Sequence, residues 1–364
     1  MATIQHARTA TEAAGPGRTL ADVYNPRSNA LDVLRLVFAS VVAVTHATAI
    51  AFGWQPIIRE TEISILAVDA FFVLSGFLIA ASWLRLNSLP RFVWHRFLRI
   101  MPAFWACLII TAFAVAPLVA HLEGGQAASV FGGDQPAWNY VLHNAALYIV
   151  HFDVAGLPAG TAQPGVINGA LWTLFYEAVC YGLIAVLGVL GVLRRRPWML
   201  AVIALVCWVM LIGWEAGFVT RGWFFWRFIF MFLLGSLAHL YARRVPVSGW
   251  LALAAVPVTV VGALLLDEYR PIGGVAFAYI VIWLTVAVPA LHRRLRTDLS
   301  YGVYVAHWPV FSVLTLAGLP AFGVAPYLAI GAALVFGIAW LSWHGLEKRA
   351  LAMKDLGKQP VPAR

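Results

Sequence analysis

The sequence predicts an all-α polytopic membrane protein with about ten transmembrane helices and both termini in the cytoplasm, and three observations predict it. Hydrophobic residues make up 62% of the 364 and charged residues only 11%, at a mean hydropathy of +0.83. Apolar runs of roughly 20 residues, the length that crosses a bilayer core about 30 Å thick, recur along the whole chain. The basic residues fall in short clusters between those runs, and the clusters alternate in side. The formal charge of +9 therefore reads as topology. Without a single basic stripe, a nucleic-acid partner is not expected. The partner that the composition does require is the lipid bilayer.

The runs, in order, cover about 33–52, 64–85, 96–119, 168–192, 198–216, 222–242, 249–267, 272–291, 299–318 and 325–347. With the N-terminus inside, every Lys and Arg falls on the cytoplasmic side except Arg59, Arg221 and Arg270 outside and Arg227 within a helix. That asymmetry orients the chain by the positive-inside rule. Residues 1–30 then form a cytoplasmic tail, 31–349 the membrane domain and 350–364 a second cytoplasmic tail. The first 28 residues hold no apolar run, so no cleaved signal peptide is expected, and the first helix targets the chain itself. Residues 120–167 form one long outside segment. Within it, WNYVLHNAALYIV is apolar but short. An eleventh span there would invert every later loop and put Arg194, Arg195 and Arg196 outside, so the piece is expected to be re-entrant or interfacial. Cys107, Cys180 and Cys207 lie in apolar runs without metal-ligand spacing, which predicts neither a disulfide framework nor a metal site.

Ionisable residues inside spans are costly and mark function by default. The first helix, LDVLRLVFASVVAVTHATAIAFG, carries Asp32 and Arg35 at its cytoplasmic end and His46 deep inside. Eleven positions at about 100° and 1.5 Å each put Arg35 and His46 on one face, about 16 Å apart. The third helix opens RFVWHRFLRIMP, with Arg96 and Arg99 near the level of Arg35. Arginine forks suit phosphate oxygens, although snorkelling topology signals would look the same. The fourth helix, INGALWTLFYEAVCYG, runs inward and puts Glu177 about 13 Å below the outer boundary if it begins near Asn168. That is close to the depth of His46. A carboxylate level with an imidazole orients the ring and stabilises its cation during general-base catalysis; a polar pair joining two helices is the alternative. The second helix, VDAFFVLSGFLIA, offers Asp69 as an electrostatic or structural partner, and Ser75-Gly76 as a packing notch in which Ser75 is a weak candidate nucleophile. In SYGVYVAHWP, Tyr304 and His307 are supporting candidates, with an inter-helix hydrogen bond as the plain reading of His307. Arg227 and Glu347 read as structural ion partners.

These stretches resemble the acyltransferase 3 family of integral membrane acyltransferases. LDVLRLVFASVVAVTHA, VDAFFVLSGFLIA, RFVWHRFLRIMPAFW, INGALWTLFYEAVCY, SYGVYVAHWPV and the terminal WHGLEKR occur in the family order over residues 31–349. The resemblance implies transfer of an acyl group, most often acetyl, from cytoplasmic acyl-CoA to a hydroxyl of a cell-surface polysaccharide, lipopolysaccharide or glycolipid, by an enzyme of the inner membrane. His46 and Glu177 would then be catalytic, and Arg35, Arg96 and Arg99 would hold the donor. His46 would act as general base or, alternatively, carry the acyl group covalently. The rival reading is a proton-coupled transporter using His46 and Glu177 as a relay. Inverted repeats are not evident, which weighs against it.

Overall fold

In the computed structural model, residues 18–293 and 295–355 are described. They are almost entirely helical, and the only paired strands are the two-residue Ile57–Ile58 and Thr61–Glu62. The principal helices are α1 (Leu31–Phe52), α2 (Ile63–Leu86), α3 (Leu89–Leu122), α4 (Thr173–Val189), α5 (Trp198–Glu215), α6 (Trp223–Leu240), α7 (Gly249–Leu265), α8 (Arg270–Ala287), α9 (Ser300–Leu316) and α10 (Val324–Asp355). Among the described residues, seven of them (α1, α2, α3, α5, α6, α8 and α10) are long and apolar enough to cross a membrane. Large apolar side chains such as Leu205, Val209, Leu253, Val260 and Leu341 are exposed along their helices. Water would penalise that surface and lipid solvates it. The chain is a multi-pass membrane protein.

Several boundaries differ from the sequence reading, each for a local reason. α3 runs on to Leu122 through a π turn at Thr111–Val115; Pro117, one residue into the next turn, lacks the amide that regular α hydrogen bonding would need. α4 starts at Thr173, not near Asn168, because the Asn168 side chain accepts from the Ala170 amide (3.1 Å) and holds that stretch in a turn. Glu177 therefore sits about one turn into its helix. Within 120–167 the helix Ala137–Asn144 has 8 residues, about 12 Å of rise, too short to cross. The Asn144 side chain folds the chain after it, accepting from Val150 and His151 amides at 2.8 and 3.1 Å. The expected N-terminal tail is docked where it is described: Leu20 donates its amide to Val245 and Val247 donates to Arg18, both at 2.8 Å. The rest of both expected tails, and with it most of the segment on which the absence of a signal peptide was read, lies outside the described residues.

The chain divides into two compact units. One extends to Val42 and takes in Pro56–Arg85 and Tyr176–Arg296; the other contains Ala43–Gln55, Leu86–Phe175 and the chain from Thr297. In the first, α2 and α6 touch backbone to backbone. A Cβ on Gly76 would stand 1.8 Å from the Phe232 carbonyl oxygen, and one on Gly235 would stand 1.9 Å from that of Val73. Ser236 Oγ donates across the contact to the Gly76 carbonyl at 3.0 Å. The small residues of VLSGFL thus serve close helix approach. In the second unit, α9 packs on α10, with the Phe311 ring seated over Gly331.

Candidate active site

His46 lies in the second unit, on the C-terminal half of α1. Its Nδ1 stands 2.9 Å from Nε2 of His307, a fully buried side chain of α9, and the two rings stack at 5.2 Å. The other nitrogen of His307, Nδ1, lies 3.2 Å from the Val303 carbonyl oxygen. A carbonyl only accepts, so His307 carries its proton on Nδ1 and presents the Nε2 lone pair to His46. His46 must then be the donor through Nδ1–H, which leaves its Nε2 as an unprotonated, basic nitrogen. The chain of bonds running Val303, His307, His46 fixes which nitrogen of His46 can take up a proton. His307, read from sequence as an inter-helix hydrogen bond, is the partner of that ring among the described residues.

The scaffold behind this pair follows from Pro309. A proline four residues after Val305 cannot donate to its carbonyl, and Asn168 Nδ2 (3.0 Å) and Cys107 Sγ (3.3 Å) donate there instead. Cys107 thus satisfies an acceptor that the proline frees. Trp308 closes one side of His46, with ring centroids 4.9 Å apart and edge-on geometry, and its Nε1 donates to Val166 at 2.9 Å. Gly169 makes room for that indole: a Cβ there would lie 2.6 Å from it. Tyr304 bonds Thr173 at 2.5 Å and sets its ring edge 6.1 Å from His307.

Glu177 belongs to the first unit. Ser75 Oγ (2.9 Å) and Tyr181 OH (2.5 Å) both donate to its Oε1. Ser75, weighed as a nucleophile, acts here as a carboxylate donor. Asp69, also in this unit, is fully buried within a network that the sequence reading did not foresee. It pairs with Arg270 at 2.6 Å and Arg227 at 3.6 Å and accepts from Tyr269 at 2.7 Å, while Glu268 pairs with Arg270 and accepts from Trp223 Nε1 at 2.5 Å. Burial works to raise the Glu268 pKa, but the Arg270 and Arg227 guanidinium groups outweigh it and hold the carboxyl below its ordinary range. Arg270, assigned from sequence to an outer loop, is the buried first residue of α8. The signal for it was Pro271, since proline favours the first turn of a helix.

Arg35 and Asp32 are half-buried on the first turns of α1, in the first unit; Arg96 and Arg99 are half-buried on α3, in the second. Arg99 pairs with Asp298 at 2.6 Å and lies over the Tyr301 ring at 5.9 Å. No group of three His, Cys, Asp or Glu residues capable of holding a metal ion occurs among the described residues.

The chain belongs to the acyltransferase 3 family: the model of its acyltransferase domain matches residues 28–344. The protein is thus an acyltransferase. It is 28% identical to an O-acetyl transferase of Shigella phage Sf6 over 89% of this chain and 96% of the relative. It is 28% identical to nodulation protein 10 of Rhizobium leguminosarum bv. viciae over 90% and 94%. A shorter match, 28% identical over 42% of this chain and 22% of the relative, is to the peptidoglycan O-acetyltransferase OatA of Listeria monocytogenes. No solved structure matches.

Proposed function

We propose that the protein is a membrane O-acetyltransferase that moves an acetyl group from cytoplasmic acyl-CoA to a hydroxyl of a cell-surface glycan or glycolipid. The observation that carries the chemistry is the bond chain that leaves His46 Nε2 basic. In the proposed reaction His46 Nε2 takes the proton of the acceptor hydroxyl as the oxygen attacks the thioester carbonyl. The tetrahedral intermediate then expels the thiolate, which recovers that proton from the imidazolium, giving ester and free thiol. Glu177 offers a negative charge to the transient imidazolium. The names of the phage and Listeria relatives support acetyl as the group and a glycan as the acceptor. Arg35, Arg96 and Arg99 are proposed to attract the donor phosphates, which an Arg to Lys exchange would weaken because lysine cannot make a fork.

The topology that goes with this reading has ten spans, both termini in the cytoplasm and residence in the inner membrane. It counts α4, α7 and α9, each 17 residues or about 26 Å long, as crossing a core of about 30 Å. The donor then enters from inside and a polar acceptor from outside, where residues 120–167 are the nearest cover. The test uses sealed, oriented proteoliposomes with acetyl-CoA on the cytoplasmic face and acceptor on the other. Wild type should acetylate the acceptor, and His46→Ala should not while remaining folded. Transfer only when both substrates share the cytoplasmic face would overturn the cross-membrane route. Full activity of His46→Ala would overturn the role of His46.

A further inference from the structure

The first unit contains a cavity of about 750 Å³ where the start of α1 and the ends of α2 and α6 meet the segment before α1. Its volume lies within the range of about 300–1,000 Å³ that accommodates small organic ligands. Its polar lining includes Tyr24, Arg27, Asp32, Ser82, Arg85 and His239. Two of these carry polar atoms whose bonding is unaccounted for. Ser82 is only 5% exposed, and its Oγ has no hydrogen-bond partner among the described residues; the same is true of the buried Nδ1 of His239. Buried polar atoms in proteins are nearly always bonded, so two of them on one cavity wall indicate a polar occupant. The wall itself is fixed. Phe77 takes the Tyr24 ring edge-on at 4.9 Å and the His239 ring edge-on at 5.0 Å, and the Leu84 carbonyl at the end of α2 is covered by Arg194 at 3.0 Å.

The charge of the occupant follows from the rim. Arg27 and Arg85 are exposed there, opposed by the single carboxylate of Asp32, so the lining is net basic. Guanidinium forks bind phosphate oxygens in pairs of hydrogen bonds, a serine hydroxyl adds another, and the Tyr24 and His239 rings offer a surface to a flat group. We infer that this cavity binds an organic phosphate through Arg27, Arg85 and Ser82. On the donor proposed above, whose cytoplasmic entry this inference rests on, the occupant is the nucleotide end of acyl-CoA. The bound phosphates would then lie on the wall formed by the start of α1, the helix that carries Arg35 and His46. The same chemistry is shared by an anionic lipid headgroup at that membrane face.

Binding of adenosine 3′,5′-bisphosphate and of coenzyme A is measured by calorimetry on the full-length protein in phosphatidylcholine nanodiscs, and repeated with phosphatidylglycerol in the disc. Wild type should bind the bisphosphate, and Arg85→Ala or Ser82→Ala should each weaken it about tenfold or more, the loss of one hydrogen bond to a charged group. Arg85 is exposed at a helix end, so Arg85→Ala keeps the fold, and Arg85→Lys should recover part of the loss. Bisphosphate binding by wild type in phosphatidylcholine that disappears when phosphatidylglycerol is in the disc assigns the same phosphate site to a lipid headgroup. Wild type that binds neither, or affinities unchanged in every variant, overturns the inference. Acetyl transfer measured alongside keeps the two proposals separate: transfer with unaltered binding in the variants sinks the cavity alone, whereas bisphosphate binding without any transfer from acetyl-CoA sinks the donor reading alone.

Discussion

Replacing His307 tests whether the imidazole pair is chemistry or glue. His307→Ala removes the acceptor that stands 2.9 Å from His46 Nδ1 and with it the contact from which the His46 tautomer is read. A buried donor left unpaired costs about 1–3 kcal/mol. At about 1.4 kcal/mol per factor of ten, turnover should fall about 5- to 150-fold if that bond is maintained into the transition state. His307→Gln separates the two roles. Its amide oxygen can accept from His46 Nδ1–H as Nε2 of His307 does, so turnover should recover most of the alanine loss although glutamine cannot titrate. The assay is the initial rate of acetyl transfer at saturating acetyl-CoA, expressed per folded molecule, with the melting temperature of each variant taken in the same detergent. If His307 only joins α1 to α9, both variants lower the melting temperature and leave the rate per folded molecule unchanged. That result, or a glutamine variant as slow as alanine, refutes the assignment of the basic nitrogen.

Three further outcomes are expected. Glu177→Gln keeps the bonds from Ser75 and Tyr181 but removes the charge, so kcat should fall about 100-fold with donor KM little changed, and an unaltered kcat would make Glu177 structural. Gly76→Ala places a methyl 1.8 Å from a backbone carbonyl that no side-chain rotation can clear, so the yield of folded protein should collapse, whereas Gly345→Ala, with open space around it, should be tolerated. Glu268 has a depressed pKa in the folded state, so its stabilisation is present above the ordinary glutamate pKa and is lost as pH falls through the folded value. Thermal melts should therefore drop on acidification below the ordinary glutamate range, and Glu268→Gln should start lower, by about 3–5 kcal/mol for a broken buried pair, and fall less steeply; identical slopes would place the acid sensitivity elsewhere.

The helices were legible in the sequence because a lipid-facing segment announces itself by length and hydropathy alone. His46 and Glu177 were legible because an ionisable residue in such a segment is rare. What pairs with them was not. His46 and His307 are far apart in the chain, and no periodicity within one helix reveals a neighbour on another. The carbonyl freed by Pro309 was in principle visible, but that Asn168 and Cys107 fill it depends on how the chain turns before α4. The burial of Arg270 was not legible, because a basic residue beside a proline just ahead of an apolar run gives no sign of its partner. Only the position of Asp69 opposite it shows that the helix begins with a buried charge.

Charge balance separates the structural ionisable groups from those proposed to act. Asp69 and Glu268 carry two negative charges, Arg227 and Arg270 carry two positive ones, and every carboxylate in that cluster lies against a guanidinium. In such a neutral set each charge is opposed by a neighbour, and removing any member exposes its partner to an apolar surround. Glu177 is bonded differently. Its hydrogen-bond donors among the described residues are two neutral hydroxyls, both on Oε1. Among the described residues His46 is bonded through one nitrogen, by an imidazole whose own proton faces the Val303 carbonyl. In the proposed mechanism His46 gains a proton and Glu177 offers the imidazolium a negative charge. That difference in bonding is the ground on which the proposal gives the acyl-transfer chemistry to His46 and Glu177 and the architecture to Asp69 and its arginines.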